Sequence, residues 1–192
     1  MKSAFYIGNR ERLYKGLPEA SLFVLCSGGH THRSADDQHR FFANRSFVYL
    51  TGIAEPDCRL LTWRLHGELT EILFIRDMDP TAEIRGGRRM TKEEARAASG
   101  IAQIKYMSEF AGMVHKLARD IYFERLYLCL EANTGQELTD QNHQFRRFAM
   151  ETYPGLVICN AFPVIAAQRS IKSEEEIENM RTAMEITREG IV

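Results

Sequence analysis

The sequence lacks the features that place a protein in a membrane or on nucleic acid. Its 192 residues include 25 basic and 26 acidic side chains, so the formal net charge of −1 attracts neither a polyanion nor an anionic membrane surface. No apolar run approaches the length of a membrane span, and residues 1–12 carry basic side chains without the apolar segment of a signal peptide. We therefore expect neither nucleic acid nor a membrane among its partners.

Cysteine is sparse, and no two cysteines form a CxxC pair. This spacing argues against a zinc or redox motif built on paired thiols. Most of the cysteines lie within apolar runs, which is typical of buried thiols in a reducing compartment, so we expect a cytoplasmic protein. The four residues are Cys26, Cys58, Cys129 and Cys159.

Apolar runs that read as strands alternate with helical patterns, which predicts an α/β fold, a mixed β-sheet flanked by helices. No internal repeat or low-complexity linker interrupts the alternation. A tight turn at residues 66–68 predicts a hairpin, and strands at residues 46–51, 58–65 and 70–76 are expected to pair consecutively. The other predicted strands are residues 21–26, 125–130 and 156–159, and the predicted helices are residues 5–17, 91–98, 108–119 and 138–151.

Two helix starts carry a capping box, in which two side chains satisfy orphan backbone N–H groups reciprocally. The first pairs Thr91 with Glu94, and the second pairs Ser173 with Glu176. The second opens an amphipathic helix over residues 173–192, whose apolar stripe must be covered by another surface. The stripe comprises Ile177, Met180, Met184 and Ile191. Because no closing signal follows it, we expect the chain to continue into a missing catalytic or partner half.

A polar segment at residues 28–39 contains side chains of the types that bind zinc or manganese. His30 and His32 share a face only in an extended chain, and Asp36 and Asp37 do not both point inward on a regular element. The alternative is a solvated loop in which an aspartate bonds to nearby backbone. We favour that loop and assign no metal ligand to this sequence.

Residues 85–89 combine two glycines with three arginines. Glycine permits close backbone approach and guanidinium groups bind carboxylates in a forked geometry, so this segment suits a peptide carboxyl terminus or an acidic partner surface. It is not a phosphate-binding loop, because the Lys-Ser/Thr end is absent. A plain surface turn is the alternative.

Residues 44–52 form an apolar and aromatic run that starts with polar residues and ends with a glycine. We interpret this segment as a core strand.

Taken in order, these segments resemble one family, the amino-terminal domain of aminopeptidase P, which is related to the corresponding domains of prolidase and creatinase. The resemblance spans almost the whole chain, and residues 171–177 look like the junction with a catalytic domain. The blocks that carry it are residues 33–36, residues 44–52 followed by Glu55 and Pro56, residues 79–89, and residues 169–187.

The resemblance implies a domain over residues 1–170 and, over residues 171–192, the start of a linker helix into a carboxyl-terminal metallopeptidase (pita-bread) domain. In the family, two divalent metal ions, manganese or a similar ion, are held in that later domain by two Asp, one His and two Glu. None of those positions exists here, so we expect this stretch to be inactive alone, and the parent enzyme to remove an N-terminal residue that precedes proline.

The resemblance also implies partners. They are the protein's own catalytic domain, further copies in a dimer or tetramer, and a proline-containing peptide at the domain boundary. The amino-terminal domain would shape the active-site mouth, help to select peptides with proline in second position, and form much of the subunit interface. The candidates for substrate or interface contact are Arg33, Asp36, Arg45, Tyr49, Arg85, Arg88 and Arg89, and no catalytic residue is expected.

One departure from the family affects these candidates. Bacterial members place an aromatic residue just before the Gly-Arg-Arg stretch, where it reaches a neighbouring subunit's active site, whereas Arg85 and Gly86 stand here. We hypothesise that Arg85 or one of the two following arginines contacts the substrate's carboxylate end or the neighbouring subunit by charge. The alternative is that Arg88 and Arg89 form structural ion pairs with Asp77, Asp79 or Glu83.

Two other functions are weighed against this one. A stand-alone module that binds peptides or assembles oligomers would need no catalytic half. A nuclease-like fold that uses the Asp/His segment is disfavoured, because the chain has no basic footprint.

Overall fold

The computed structural model describes residues 1–35, 37–120, 122–132 and 140–191, without the side chain of Arg85. Its centre is a six-stranded mixed sheet, and a small separate hairpin consists of β2 and β3. The strands are β1 (Ser21–Cys26), β2 (His32–Ser34), β3 (Asp37–Gln38), β4 (Arg59–Leu65), β5 (Glu68–Ile75), β6 (Gln103–Tyr106), β7 (Arg125–Leu128) and β8 (Val157–Asn160).

The large sheet has the strand order β6-β5-β4-β1-β7-β8. Strand β4 runs antiparallel to both of its neighbours, β1 and β5, while the remaining pairs are parallel. Every residue of β1 is buried, as expected of a central strand covered on both faces. The carboxyl ends of five strands therefore meet at one edge of the sheet, together with the start of β4.

Helices cover both faces of this sheet, which confirms the predicted α/β fold with a mixed sheet flanked by helices. One face packs against α1, α2, α4 and α7, and the other packs against α5 and α6. The helices are α1 (Ser3–Lys15), α2 (Arg45–Thr51), α3 (Pro80–Gly86), α4 (Lys92–Ser99), α5 (Phe110–Ala118), α6 (Gln141–Thr152), α7 (Phe162–Ser170) and α8 (Glu174–Ile191), with a 3₁₀ turn at Met107–Glu109. None of the helices in the described part of the chain is both long and apolar enough to cross a membrane.

The predicted core strand within residues 44–52 is wrong, because this segment forms helix α2. Asn44 caps the helix start, since its side-chain oxygen accepts from the N–H groups of Ser46 at 2.9 Å and Phe47 at 3.1 Å. Gly52 ends the helix in the left-handed conformation, with φ of 72°. The aromatic and β-branched composition favoured a strand, but a cap at each end stabilises one short helix instead.

This correction changes the strand pairing as well. Strand β1 pairs directly with β4, with Leu25 opposite Leu60, so no strand lies between them. The hairpin of β4 and β5 with its turn at His66 and Gly67 is confirmed. The predictions did not include β6, α3 or α7.

Both capping boxes are confirmed. Thr91 Oγ accepts from the Glu94 N–H at 3.2 Å, and a Glu94 carboxylate oxygen accepts from the Thr91 N–H at 2.9 Å. At α8, the N–H of Ser173 donates to Glu176 at 2.9 Å, and the N–H of Glu176 donates to the Ser173 hydroxyl at 3.3 Å. These local signals identify helix starts because they satisfy donors that have no partner within the helix.

Two further predicted helices differ from the structure at their starts. The segment predicted at residues 108–119 divides into the 3₁₀ turn and α5. Helix α6 starts at Gln141 after an Asp140 cap, whereas the prediction began at residue 138, outside the described residues.

Helix α8 has no buried residue. Its apolar stripe is open, with Met184 70% exposed and Ile191 80% exposed. Near its start, Glu175 accepts from the N–H of Lys2 at 3.0 Å. The domain limits at residues 170 and 171 remain a prediction.

Candidate functional site

The carboxyl edge of the sheet gathers charged and amide side chains around a cavity of about 300 Å³, here called the charged pocket. Five of the seven lining residues stand at the ends of strands, which position them, while Arg89 follows α3 and Gln141 begins α6. Arg76 and Asp77 follow β5, and Asp57 and Arg59 stand at the start of β4. The lining residues are Asp57, Arg59, Arg76, Asp77, Arg89, Met107 and Gln141.

Asp57 is fixed from two sides in this pocket. Its N–H donates to the Gly28 carbonyl at 2.7 Å, and its carboxylate accepts from Gln141 Nε2 at 2.8 Å. Gly29 lies so close that an added Cβ would come within 2.8 Å of Gln141 and 2.9 Å of Asp57. Arg76 is held by Glu55 in an ion pair of 2.9 Å. The side chains of Asp57, Arg76 and Gln141 are thus held by neighbours within the chain.

The Asp77 carboxylate is also engaged. It accepts from the N–H of Ser108 at 3.0 Å and from the hydroxyl of the same residue. The hydrogen bond from the Ser108 hydroxyl contributes most to lowering the pKa of Asp77, and the positive charge of Arg89 lowers this pKa further. Asp77 is therefore an ionised acceptor at neutral pH rather than an acid poised to donate a proton.

Among the predicted arginine candidates whose side chains the structure describes, Arg89 alone lines the charged pocket. The guanidinium of Arg89 donates to the backbone carbonyl of Asp77, and the backbone N–H of Arg89 donates to a Glu83 carboxylate oxygen at 3.2 Å. Arg88 is exposed and pairs with Glu94, a partner that the sequence interpretation did not name. The Thr91 N–H and Arg88 lower the pKa of Glu94, in that order of importance. Both arginines thus have partners within the chain.

Two further candidates, Arg33 and Arg45, do not line this pocket. Arg33 is exposed on the β2–β3 hairpin and pairs with Asp37 at 3.1 Å. Asp36 lies outside the described residues. Arg45 is exposed in the first turn of α2. Arg85 lies in α3, and its side chain is outside the described part of the structure.

Tyr49 is a buried residue of α2, only 8% exposed. Its hydroxyl accepts from the Arg12 guanidinium at 3.2 Å, and its ring meets the Phe5 ring edge-on at 6.0 Å. Asn9 also donates to its carbonyl at 2.8 Å. Tyr49 therefore joins α2 to α1.

The segment predicted as a polar loop after β1 contains the β2–β3 hairpin. Its first residues, from Ser27 to Thr31, line a second cavity of about 450 Å³ with residues from the start of α6. His30 packs against the Phe41 ring at 5.4 Å. Among residues 1–35, 37–120, 122–132 and 140–191, no three His, Cys, Asp or Glu side chains form a group that would hold a metal ion.

Three cysteines are buried, as predicted, and Cys159 is half-buried. Burial raises the pKa of Cys26 and of Cys58 to about 12, and that of Cys129 to about 11. At neutral pH these three are protonated thiols, so they are not poised as nucleophiles.

Sequence reasoning missed the residues that build the charged pocket. Arg59, Arg76 and Gln141 attracted no notice, because none of them belongs to a known motif. A usable signal existed, since a charged residue directly at the end of an apolar strand lies at the sheet edge where sites are commonly formed.

Comparison with known proteins identifies the family of this domain. Residues 6–122 match the family model described as the aminopeptidase P N-terminal domain. The Xaa-Pro aminopeptidase of Haemophilus influenzae is 29% identical over 182 residues, covering 94% of this chain and 40% of the relative. That of Escherichia coli K12 is 28% identical, covering 93% of this chain and 41% of the relative. The chain thus spans about two fifths of the length of these curated relatives.

Solved structures share the fold. A protein described as an aminopeptidase P from Bacillus anthracis superposes with a TM-score of 0.95 and 35% identity, over 100% of this chain and 46% of that chain. Proline aminopeptidase P II from Yersinia pestis gives a TM-score of 0.81 and 26% identity, over 97% of this chain and 43% of that chain. Because the family model also matches more than half of the sequence, this chain belongs to the aminopeptidase P N-terminal domain family.

Proposed function

We propose that this chain is the non-catalytic amino-terminal domain of a metal-dependent Xaa-Pro aminopeptidase. The observation that carries the proposal is the length of the alignment: nearly the whole chain aligns with only about two fifths of the Xaa-Pro aminopeptidases of Haemophilus influenzae and Escherichia coli. The parent enzyme would remove an N-terminal residue that precedes proline. The domain would shape the active-site mouth, contribute to peptide selection and take part in a dimer or tetramer.

Two surfaces support a role beside a further domain or subunit. The stripe on α8 exposes Met180 and Met184 by 53% and 70%. An apolar groove between α7 and the start of α8, about 770 Å³ in volume, includes Val164 and Ile171. Apolar surfaces of this kind mark interaction sites on soluble proteins.

The proposal assigns the two divalent metal ions, manganese in our expectation, to the part of the relatives that this chain does not cover. When bound, such ions activate a water molecule and polarise the scissile carbonyl. Four unpaired cysteines are compatible with the reducing cytoplasm that we propose as its location.

The test compares the purified 192-residue chain with the complete product of its gene, each supplied with Mn²⁺ and a peptide whose second residue is proline. We expect release of the first residue only by the complete product, and loss of that release on chelation. Hydrolysis by the 192-residue chain alone would contradict the proposal. A complete product that ends at residue 192 would instead support a stand-alone peptide-binding or oligomerisation module.

Arg85 is the best candidate for contact with substrate or a neighbouring subunit, because both following arginines have partners within this chain. In the complete enzyme, we expect Arg85→Ala to raise KM about tenfold, or to weaken assembly, through loss of a charge-assisted contact. Lys116→Ala, which removes an exposed positive charge from α5, is the matched control. Unchanged KM and unchanged oligomeric state on sedimentation would reject the role of Arg85.

A further inference from the structure

Arg59 stands at the boundary between two cavities. It lines the charged pocket, and it also lines an apolar groove of about 300 Å³ between α5 and α6, here called the aromatic groove. Its guanidinium carbon lies 4.5 Å from the centre of the Phe110 ring and 5.7 Å from that of Phe145. These contacts hold the side chain over the aromatic rings.

The Arg59 guanidinium makes no hydrogen bond to the residues that the structure describes, and its Nε atom is buried. Gln141 provides the complementary feature. Its Nε2 atom donates to Asp57 at 2.8 Å, which fixes the amide, while its Oε1 atom is buried without a partner. One cavity wall therefore carries an unpaired donor and an unpaired acceptor, and both residues line both cavities.

A buried polar atom without a hydrogen-bond partner lowers the stability of the fold, and such atoms are rare in folded proteins. Only four buried side-chain atoms in the described residues lack a partner, and two of them are Arg59 Nε and Gln141 Oε1. The two neighbouring arginines each have a partner within the chain, since Arg76 pairs with Glu55 and Arg89 bonds to the Asp77 carbonyl. The two buried atoms have no partner among the described residues, so a ligand that reaches them would supply the missing hydrogen bonds.

The aromatic groove supplies an apolar wall beside these atoms. Its lining includes the buried residues Phe110, Val114 and Phe145 and also Phe148, which is 49% exposed. A volume of about 300 Å³ lies at the lower end of the range of small-molecule sites. The groove accommodates one large apolar side chain.

We propose that Arg59, Gln141 and the aromatic groove bind the carboxylate end of an apolar amino acid. The carboxylate accepts hydrogen bonds from the Arg59 guanidinium, and the adjacent N–H donates to Gln141 Oε1. The side chain lies against Phe110 and Phe145. The ligand is either the last residue of a peptide or a free amino acid, which share this chemistry. The inference does not depend on the proposed function, because it rests on atoms of this chain alone.

The test is a titration of the ¹⁵N-labelled chain with N-acetyl-L-phenylalanine, followed through the amide signals of α5 and α6. We expect saturable shifts with a Kd on the order of 1 mM, as suits so small a ligand. N-acetyl-L-phenylalaninamide, which has no carboxylate, should bind at least about tenfold more weakly. 3-Phenylpropionate, which has no N–H, should bind severalfold more weakly. Free L-phenylalanine tests the source of the ligand: tighter binding than the acetyl compound identifies a free amino acid.

The matched variants are Arg59→Met and Arg64→Met. Both arginines lie on β4, and each has a buried Nε atom without a partner. Arg64, however, faces the other side of the sheet and donates to the Tyr14 carbonyl at 2.9 Å. Arg59→Met should weaken binding at least about tenfold, while Arg64→Met should leave Kd unchanged. Ala111→Leu fills the aromatic groove from an exposed position on α5, so it should abolish binding while the chain stays folded.

The absence of saturable shifts in the wild-type chain would overturn the proposal. Equal affinity for the carboxylate and the carboxamide would also overturn it. If Arg59→Met did not fold, Ala111→Leu would still decide the question, since undiminished binding by that variant would place the ligand elsewhere.

Discussion

Two arginines on opposite faces of the sheet show how differently one residue type is used here. Arg10, on α1, is almost completely buried at 2% exposure, and all three of its guanidinium nitrogens make hydrogen bonds. Its guanidinium donates to the carbonyls of Leu50 at 2.7 Å and Ser99 at 2.9 Å, and it pairs with Glu71 at 2.9 Å. Arg59 is half-buried, stacks on two aromatic rings and leaves Nε without a partner.

The difference separates a structural side chain from one that is available for binding. Arg10 donates to the carbonyl of Leu50, the next-to-last residue of α2, and to that of Ser99, the last residue of α4. Together with its ion pair to Glu71 on β5, these bonds join the two helices to the sheet. Arg59 joins nothing by hydrogen bonds among the described residues and instead borders a cavity. A buried arginine with its donors paired stabilises the fold, whereas an arginine that has an unpaired Nε and also lines a cavity supports the proposed ligand site.

The largest expected effect comes from removing the satisfied arginine. Arg10→Met leaves two buried carbonyls without donors and the Glu71 carboxylate without its partner, so we expect the free energy of unfolding to fall by about 3 kcal/mol or more. Arg59→Met removes only contacts with aromatic rings, so we expect a loss of about 1 kcal/mol or less. Urea denaturation of the two variants measures the contrast, and equal losses would refute the distinction drawn here.

A smaller effect tests how tightly the α1–α2 face is packed. Gly52 has φ of 72°, and an added Cβ would lie 2.7 Å from Cζ of Tyr6. We expect Gly52→Ala to cost about 2 kcal/mol or more, from left-handed strain together with overpacking. Gly67 has φ of 79° but nothing within 4 Å of an added Cβ, so Gly67→Ala should cost about 1 kcal/mol.

The comparison of these two glycines isolates packing from backbone strain, since both have positive φ. Thermal unfolding of the two alanine variants gives the difference directly. A Gly67 variant as unstable as the Gly52 variant would show that strain alone accounts for both losses.

Much of the architecture was predictable because its signals are local. The turn at His66 and Gly67 and the capping boxes at Thr91 and Ser173 depend on residues within a few positions of each other. The mixed α/β class followed from alternation of apolar strands with helical patterns. These features can be predicted without knowledge of the rest of the chain, because the residues that determine them are close together in the sequence.

The α2 segment shows where local composition misleads. Its aromatic and β-branched residues are typical of a strand, yet both ends carry helix caps, Asn44 and Gly52. Phe47 and Leu50, three residues apart, are both fully buried, which is the spacing of a helix face. In a segment this short, the caps and burial on one side outweigh propensity.

The candidate site was only partly accessible from the sequence. Arg89 was singled out for its place in a Gly-Arg segment, but its bond to the Asp77 carbonyl depends on how the loop after α3 returns to the sheet edge. Arg59 and Gln141, 82 positions apart, meet only because β4 and α6 present them to the same cavities. No spacing rule connects residues so distant in the chain.

The sequence by itself determined the family, the fold class, most helices and strands, and the buried thiols, because these depend on neighbouring residues or on ordered blocks along the chain. Only the tertiary structure decided which arginines have all their nitrogens paired and which keep a buried Nε without a partner. Hydrogen-bond partners of buried groups come from distant segments, so their presence or absence is set when the sheet and its two helical layers pack together.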